Sequence, residues 1–181
     1  NKELPGTCCS AGLFILRKRG KQMKLSELMT GVTPEADYEG WVTNDDYVLA
    51  INLTPNMANT KIGDYGVVQD GYRGAGCAAE PIMVDKTYIR AGQSSQKTGS
   101  QRSFALSGDR YMGDEAQDYI LSHAIKYGTG NGVVTDYVYF NILNGKGEKG
   151  KVSIIVNSDG SGNAGESSAL DVEFKKSEPI R

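Results

Sequence analysis

A glycine-rich run, Gly145-Lys-Gly-Glu-Lys-Gly150 followed by Lys151, has the spacing of a dinucleotide-binding turn and comes close to a phosphate-binding loop. Such glycines cradle a phosphate only when they open a helix, whose first amides and dipole then face the anion. Here the next residues, Val152-Ser-Ile-Ile-Val156, are strand formers, and Val152 stands where a magnesium-binding hydroxyl belongs. The run therefore reads as a hairpin turn. Asn157-Ser-Asp-Gly-Ser-Gly162 starts like a calcium loop, yet Ser168 occupies the twelfth position and Glu166 comes two residues early, which leaves a strand connection.

His123 is the single histidine, so metal sites built from several imidazoles are excluded, and no serine sits in a nucleophile-elbow context to use it as a base. Its helical spacing from Ala116, Tyr119, Ile120, Ala124 and Tyr127 places it on an apolar stripe, as a packed or interface histidine. Cys8, Cys9 and Cys77 show no C-x-x-C spacing, and their odd number argues against a disulfide framework and for synthesis in a reducing compartment. Asp45-Asp46 and Asp114-Glu115 suit turns and helix starts, where carboxylates complement the dipole. Asn52-Leu-Thr54 matches a glycosylation acceptor, which matters only in a secreted chain. No catalytic, cofactor-binding or metal-ligating residue is expected.

The elements that carry these residues are mostly strands. The chain has 181 residues, 39% hydrophobic and 23% charged, which is enough for one domain with a real core, and its 23 glycines between short apolar runs imply frequent reversals. Tyr47–Leu53, Tyr65–Gln69, Tyr88–Arg90, Ser103–Ser107, Val133–Leu143, Val152–Val156 and Ala169–Lys175 read as strands. Loops are expected at 144–150 and 158–165, with a long exposed loop over 71–99. One helix is expected over 114–127, with Asp114 as N-cap, Gln117 completing a capping box, Gly128 as a left-handed C-terminal residue, and Tyr119, Ile120, His123 and Tyr127 fixing it to the sheet. The body is residues 41–176, preceded by a basic arm and turn-rich lead-in at 1–40 and followed by a short tail at 177–181.

Charge is unevenly divided. Residues 1–24 hold Lys2, Arg17, Lys18, Arg19, Lys21 and Lys24 against Glu3, leaving +5 on the arm and −7 on the rest of a chain whose net charge is −2. A basic arm on an acidic body suits docking on another copy. Arg17-Lys-Arg19 lacks the interleaved aromatics of a nucleic-acid binder, and Leu13-Phe-Ile-Leu16 is too short to span a membrane and precedes its basic cluster, unlike an export signal.

Several stretches carry a resemblance. Ser107-Gly-Asp-Arg-Tyr111 before Gly113-Asp-Glu-Ala-Gln-Asp-Tyr-Ile120, the strand Val133–Leu143, and Lys149–Phe174 with its small-residue loop after Val156-Asn157 resemble the tail tube (major tail) proteins of tailed bacteriophages. Ile51-Asn-Leu-Thr-Pro-Asn56 followed by Lys61-Ile-Gly-Asp64 resembles that family's first core strand and its exit. The resemblance implies a mainly β fold, a β-sandwich or half-barrel of antiparallel strands with a helix packed on its flank, and a non-enzymatic virion protein without cofactor. It further implies hexameric rings stacked into a hollow tube through which DNA passes without specific binding. Its implied partners are further copies, a tape measure protein, a tail terminator and a distal tail protein, with assembly in the host bacterial cytoplasm. The alternative function is a β-sandwich binding or adhesion module of a virion or cell surface, and a small hydrolase or nucleotide-binding enzyme would need a polar cluster around His123 or the 145–151 loop.

Overall fold

The computed structural model describes residues 23–177 except 56, 58–59 and 69–70, so most of the basic arm, Cys8, Cys9 and most of the C-terminal tail lie outside the described residues. The described chain is mainly β. Strands β1 (Tyr47–Ile51), β2 (Gly66–Val67), β3 (Tyr72–Tyr88), β4 (Gly92–Asp109), β5 (Val134–Asn141), β6 (Gly147–Ser161) and β7 (Ala169–Lys176) form one antiparallel sheet in the order β2-β1-β5-β6-β7-β4-β3. Three short helices accompany it: α1 (Leu25–Leu28), α2 (Glu115–Ile120) and α3 (His123–Lys126).

The sheet is one curled surface and not two stacked ones. β5 and β4 are separated by β6 and β7, which in a flat sheet would hold them about 14 Å apart. Yet the Phe104 ring of β4 lies 5.3 Å from Tyr137 and 5.1 Å from Tyr139 of β5. The strands therefore wrap around a single core of Leu49, Ile51, Tyr137, Ile154, Val172 and Phe174 with their neighbours, a half-barrel closed at its flank by Ile120 and Ile125 of the helices. Residues of opposite parity, Val48, Ala50 and Phe140, face away and are covered by Leu25, Tyr65 and Val67. That second cover explains why β1 and β5 are apolar on both faces, whereas β7 alternates buried Leu170, Val172 and Phe174 with wetter Asp171, Glu173 and Lys175.

The expected helix over 114–127 is broken. Ser122 adopts an extended conformation, φ −61° and ψ 152°, and stands at the N-cap position of a new turn without a side-chain capping hydrogen bond. The break rephases the stripe. Ala116 and Ile120 are buried and Tyr119 is partly buried against the core, but the next buried residue is Ile125, while His123, Ala124 and Tyr127 are exposed. His123 and Tyr127 thus do not fix the helix to the sheet. Gly128 is also not left-handed; it is required by crowding, because a Cβ there would overlap the Ala124 carbonyl oxygen and approach Val133. Gly128→Ala should cost roughly 1–3 kcal/mol in urea unfolding as the turn shifts to make room.

Candidate assembly surfaces

The residues that sequence logic offered for chemistry are spent on structure. Gly145 turns the β5–β6 hairpin with φ 69°, and Gly147 to Lys151 already lie in β6, so no helix follows to face an anion. In the calcium-like run, Asp159 pairs with Lys126, and Glu166 accepts from the Asn163 amide and side chain, each at 3.1 Å, closing the loop on itself. Among the described residues no group of three or more His, Cys, Asp or Glu could hold a metal ion. His123 is exposed, its ring 4.8 Å from that of Tyr127. Asp46 accepts from the Thr43 amide at 2.6 Å and closes a capping box. Asn52 is buried and accepts from the Thr54 amide, which removes it as a glycan acceptor. No described helix is long and apolar enough to cross a membrane.

Around α2 the polar residues organise a corner. The Asp114 carboxylate accepts from the Gln117 amide, the N-cap bond expected of it. The buried Gln117 side chain staples the preceding turn: its Oε1 accepts from the Tyr111 amide at 2.9 Å and from Arg110, and its Nε2 donates to the Asp109 carbonyl. Arg110 also pairs with Asp118. Asp109 accepts from Arg73 and from Ser167 at 3.0 Å, tying β3, β4 and the β6–β7 loop together, and the Arg73 bond holds its carboxyl below the usual range.

The feature without a counterpart in the sequence reading is the segment expected to be a long loop. Residues 72–109 form one β-hairpin, paired from Tyr72↔Gly108 down to Tyr88↔Gly92. β7 leaves β4 at Ser103↔Lys175, so the ladder from Ala79↔Arg102 onward projects alone, about 30 Å at ~3.3 Å per residue. Its register shifts between Ile82 and Met83, where Thr98 Oγ1 donates to the Ile82 carbonyl; such a bulge adds twist and bend. Ile82, Met83, Val84 and Tyr88 are 40–52% exposed and Ile89 at the tip is 96% exposed. Consecutive residues point to opposite faces, so Ile82-Met83-Val84 makes both faces of the arm apolar.

At the root of the arm lies a clamp. Arg102 is half inserted between rings, its guanidinium carbon 4.8 Å from the Phe104 centroid and 5.0 Å from that of Tyr139, while Nε donates to Glu148 at 2.7 Å. Tyr139 in turn stacks on Tyr47 at 5.5 Å. These contacts link β4 to β6, β5 and β1 across the mouth of the half-barrel and set the direction in which the arm leaves. Beside them the fully buried Tyr137 phenol is pushed up to about 12, by desolvation first and then by the Glu148 charge. Its neutral form is favoured by folding, so its contribution is complete below about pH 10 and is lost as pH rises through 10–12. Denaturation curves taken from pH 9 to 12 should show that decline, to which Tyr72 and Tyr139, also pushed up by desolvation, contribute with the same sign, and Tyr137→Phe should make it shallower without removing it.

Among the described residues the sheet ends in two edge strands. β3 is the last strand on one side along its whole length, and β2, bridged to Lys24 through Gly66, is the last full strand on the other. No family model and no curated protein matches the sequence. Solved structures do. A chain in the tail of an empty gene transfer agent particle, obtained by helical refinement with C6 symmetry, superposes with a TM-score of 0.50 at 14% identity, over 76% of this chain and 96% of that one. The fold is that of a tail protein. A chain in the virion of the native gene transfer agent particle gives 0.49 at 12% identity, over 76% and 95%. The sheath/tube terminator of an extracellular contractile injection system, in its extended state, gives 0.43 at 10%, over 78% and 96%. What the tail-protein fold places in view is a curled sheet with an edge strand on each side and a projecting hairpin.

Proposed function

We propose that this chain is the repeating, non-enzymatic subunit of a phage-type tail tube. Six copies close into a ring, the outer strands of neighbouring sheets meet, and rings stack into a hollow tube through which DNA passes. The observation that carries this reading is the β3–β4 hairpin. A two-stranded arm with no core of its own is marginal in water, and long exposed edges with apolar side chains are hazards unless another chain covers them. A closed ring disposes of both edges, and ring stacking covers the arm. The superposed tail structure, refined with sixfold symmetry, supports the choice of a hexamer. A net-negative body suits passage of DNA without adhesion, because like charge keeps phosphate off the wall. The chain then belongs to the virion tail, assembled in the host cytoplasm, where a tape measure protein, a tail terminator and a distal tail protein are its further partners.

Negative-stain microscopy together with sedimentation of the purified chain tests this. Rings or tubes of hexameric cross-section are expected. A monomer at every concentration and ionic strength would overturn the reading and favour a binding or adhesion module.

A further inference from the structure

Trp41 is the single tryptophan of the chain, and it is 98% exposed. The segment that presents it is pinned at both ends: the Glu35 amide donates to the Leu143 carbonyl at 2.8 Å, Thr43 and Asp46 close their capping box, and the Ile142 amide donates to the Asp46 carbonyl at 2.8 Å. Val42 beside it is also exposed, and Tyr38 folds back so that its hydroxyl reaches the Trp41 carbonyl at 3.5 Å. A tryptophan held in water on an ordered turn marks a contact surface. Its surroundings are acidic, because residues 33–46 include five carboxylates and no lysine or arginine. Asp46 serves the capping box, while Glu35, Asp37, Glu39 and Asp45 are exposed and pair with no cation among the described residues.

We infer that this acidic Trp41 surface is the seat of residues 13–19 of its own chain, which lie outside the described residues. The chemistry matches: Leu13-Phe-Ile-Leu16 supplies apolar side chains for Trp41 and Val42, and Arg17-Lys-Arg19 supplies three cations for Glu35, Asp37, Glu39 and Asp45. An arginine also stacks well on an indole face. Strand direction favours the same copy. The Val67 amide donates to the Met23 carbonyl and Lys24 bridges Gly66, so residues 23 and 24 pair antiparallel with β2 and run parallel to β1, level with Ala50 and Ile51. Followed back from Lys24 to Met23, the chain heads toward Tyr47, the end of β1 that Trp41 precedes. Ala50 to Tyr47 is about 10 Å at ~3.3 Å per residue and Trp41 is at most about 20 Å further, whereas Leu13 can lie about 33 Å from Met23. Sequence alone suited the basic arm to another copy; its exit direction and reach suit its own. The seat belongs to the single subunit and does not rest on ring formation.

The lone tryptophan reports its own cover. In the full chain, at dilutions where sedimentation finds single subunits, Trp41 emission should be blue-shifted and weakly quenched by acrylamide. Arg17→Glu, Lys18→Glu and Arg19→Glu together should move the emission to the red and raise the quenching constant severalfold, with thermal melting unchanged. Adding Glu35→Lys, Asp37→Lys and Glu39→Lys to that chain should restore the protection. A wild-type Trp41 as quenchable as free tryptophan would overturn the seat, and so would protection that survives the reversal of the arm. Co-expression of wild type with an excess of chains carrying Trp41→Phe and the reversed arm separates the two sources of the segment. Protection retained by the wild-type Trp41 supports its own chain as the occupant, and protection lost assigns the occupant to a second copy and overturns the inference.

Discussion

Replacing residues 81–100 by Asn-Gly is expected to abolish stacking while leaving the subunit as stable as the wild type. The substitution joins Glu80 to Gln101, which already face each other in the ladder, through a two-residue turn of the type hairpins favour. Nothing removed belongs to either buried cluster, since residues 81–98 are exposed throughout and residues 99–100 only partly covered. Unfolding free energy should therefore shift by no more than about 0.5 kcal/mol, the range of surface changes away from packed features. Assembly should suffer far more, because the deleted segment holds Ile82, Met83, Val84, Tyr88 and Ile89, a group of apolar side chains that are 40–96% exposed among the described residues. Sedimentation should show single rings or monomers at concentrations where the wild type forms tubes. If tubes of normal length form, the arm is not a stacking element.

That arm was the least legible part of the sequence, for a physical reason. Strands announce themselves by alternation only when one face is buried within the same chain. Gly92-Gln-Ser-Ser-Gln-Lys-Thr-Gly-Ser-Gln101 is polar on both faces because both faces of distal β4 meet solvent in the subunit, so it reads as a loop. Tyr72-Arg-Gly-Ala-Gly-Cys-Ala-Ala79 is masked by small residues that suit an edge strand. The faint signal was Ile82-Met83-Val84, an apolar run too short for a helix and opposite a β-tolerant partner. β7 was legible almost to the residue because Leu170, Val172 and Phe174 alternate cleanly. The expected strand from Val133 is Val134–Asn141, displaced by a 3₁₀ turn at Gly130–Val133.

The helix shows a different limit. Its start was visible in Asp114 and the residues after it, where local chemistry decides the structure. Its continuity was not, because the periodicity of Ala116, Tyr119, Ile120, His123, Ala124 and Tyr127 holds only for an unbroken helix, and Ser122 breaks it where the chain must bend over the core. The same break takes His123 and Tyr127 off the core and gives them to the surface. Arg102 could not be read at all from sequence. Its position depends on Tyr139 and Glu148, distant in the chain and brought to it only by the curl of the sheet.

Phe104→Ala tests that curl. Phe104 is fully buried, and its ring is the contact that brings β4 against Tyr137 and Tyr139 of β5, with Arg102 laid over its face. Truncation removes a large apolar surface, leaves a cavity between strands that are not neighbours in the sheet, and takes from Arg102 one of its two rings. A loss of about 3–5 kcal/mol is expected, the range for Phe→Ala in cores, because the surrounding strands are held in register by β6 and β7 and cannot collapse inward. For a domain of this size that is roughly 6–20 °C in melting temperature. Phe104→Leu, which keeps most of the volume, should cost less than half as much. The readouts separate the core from the arm: Phe104→Ala lowers the melting temperature yet should still stack well below its transition, whereas the arm deletion melts normally and does not stack. A melting temperature unchanged by Phe104→Ala would mean that the half-barrel does not depend on this contact across the core.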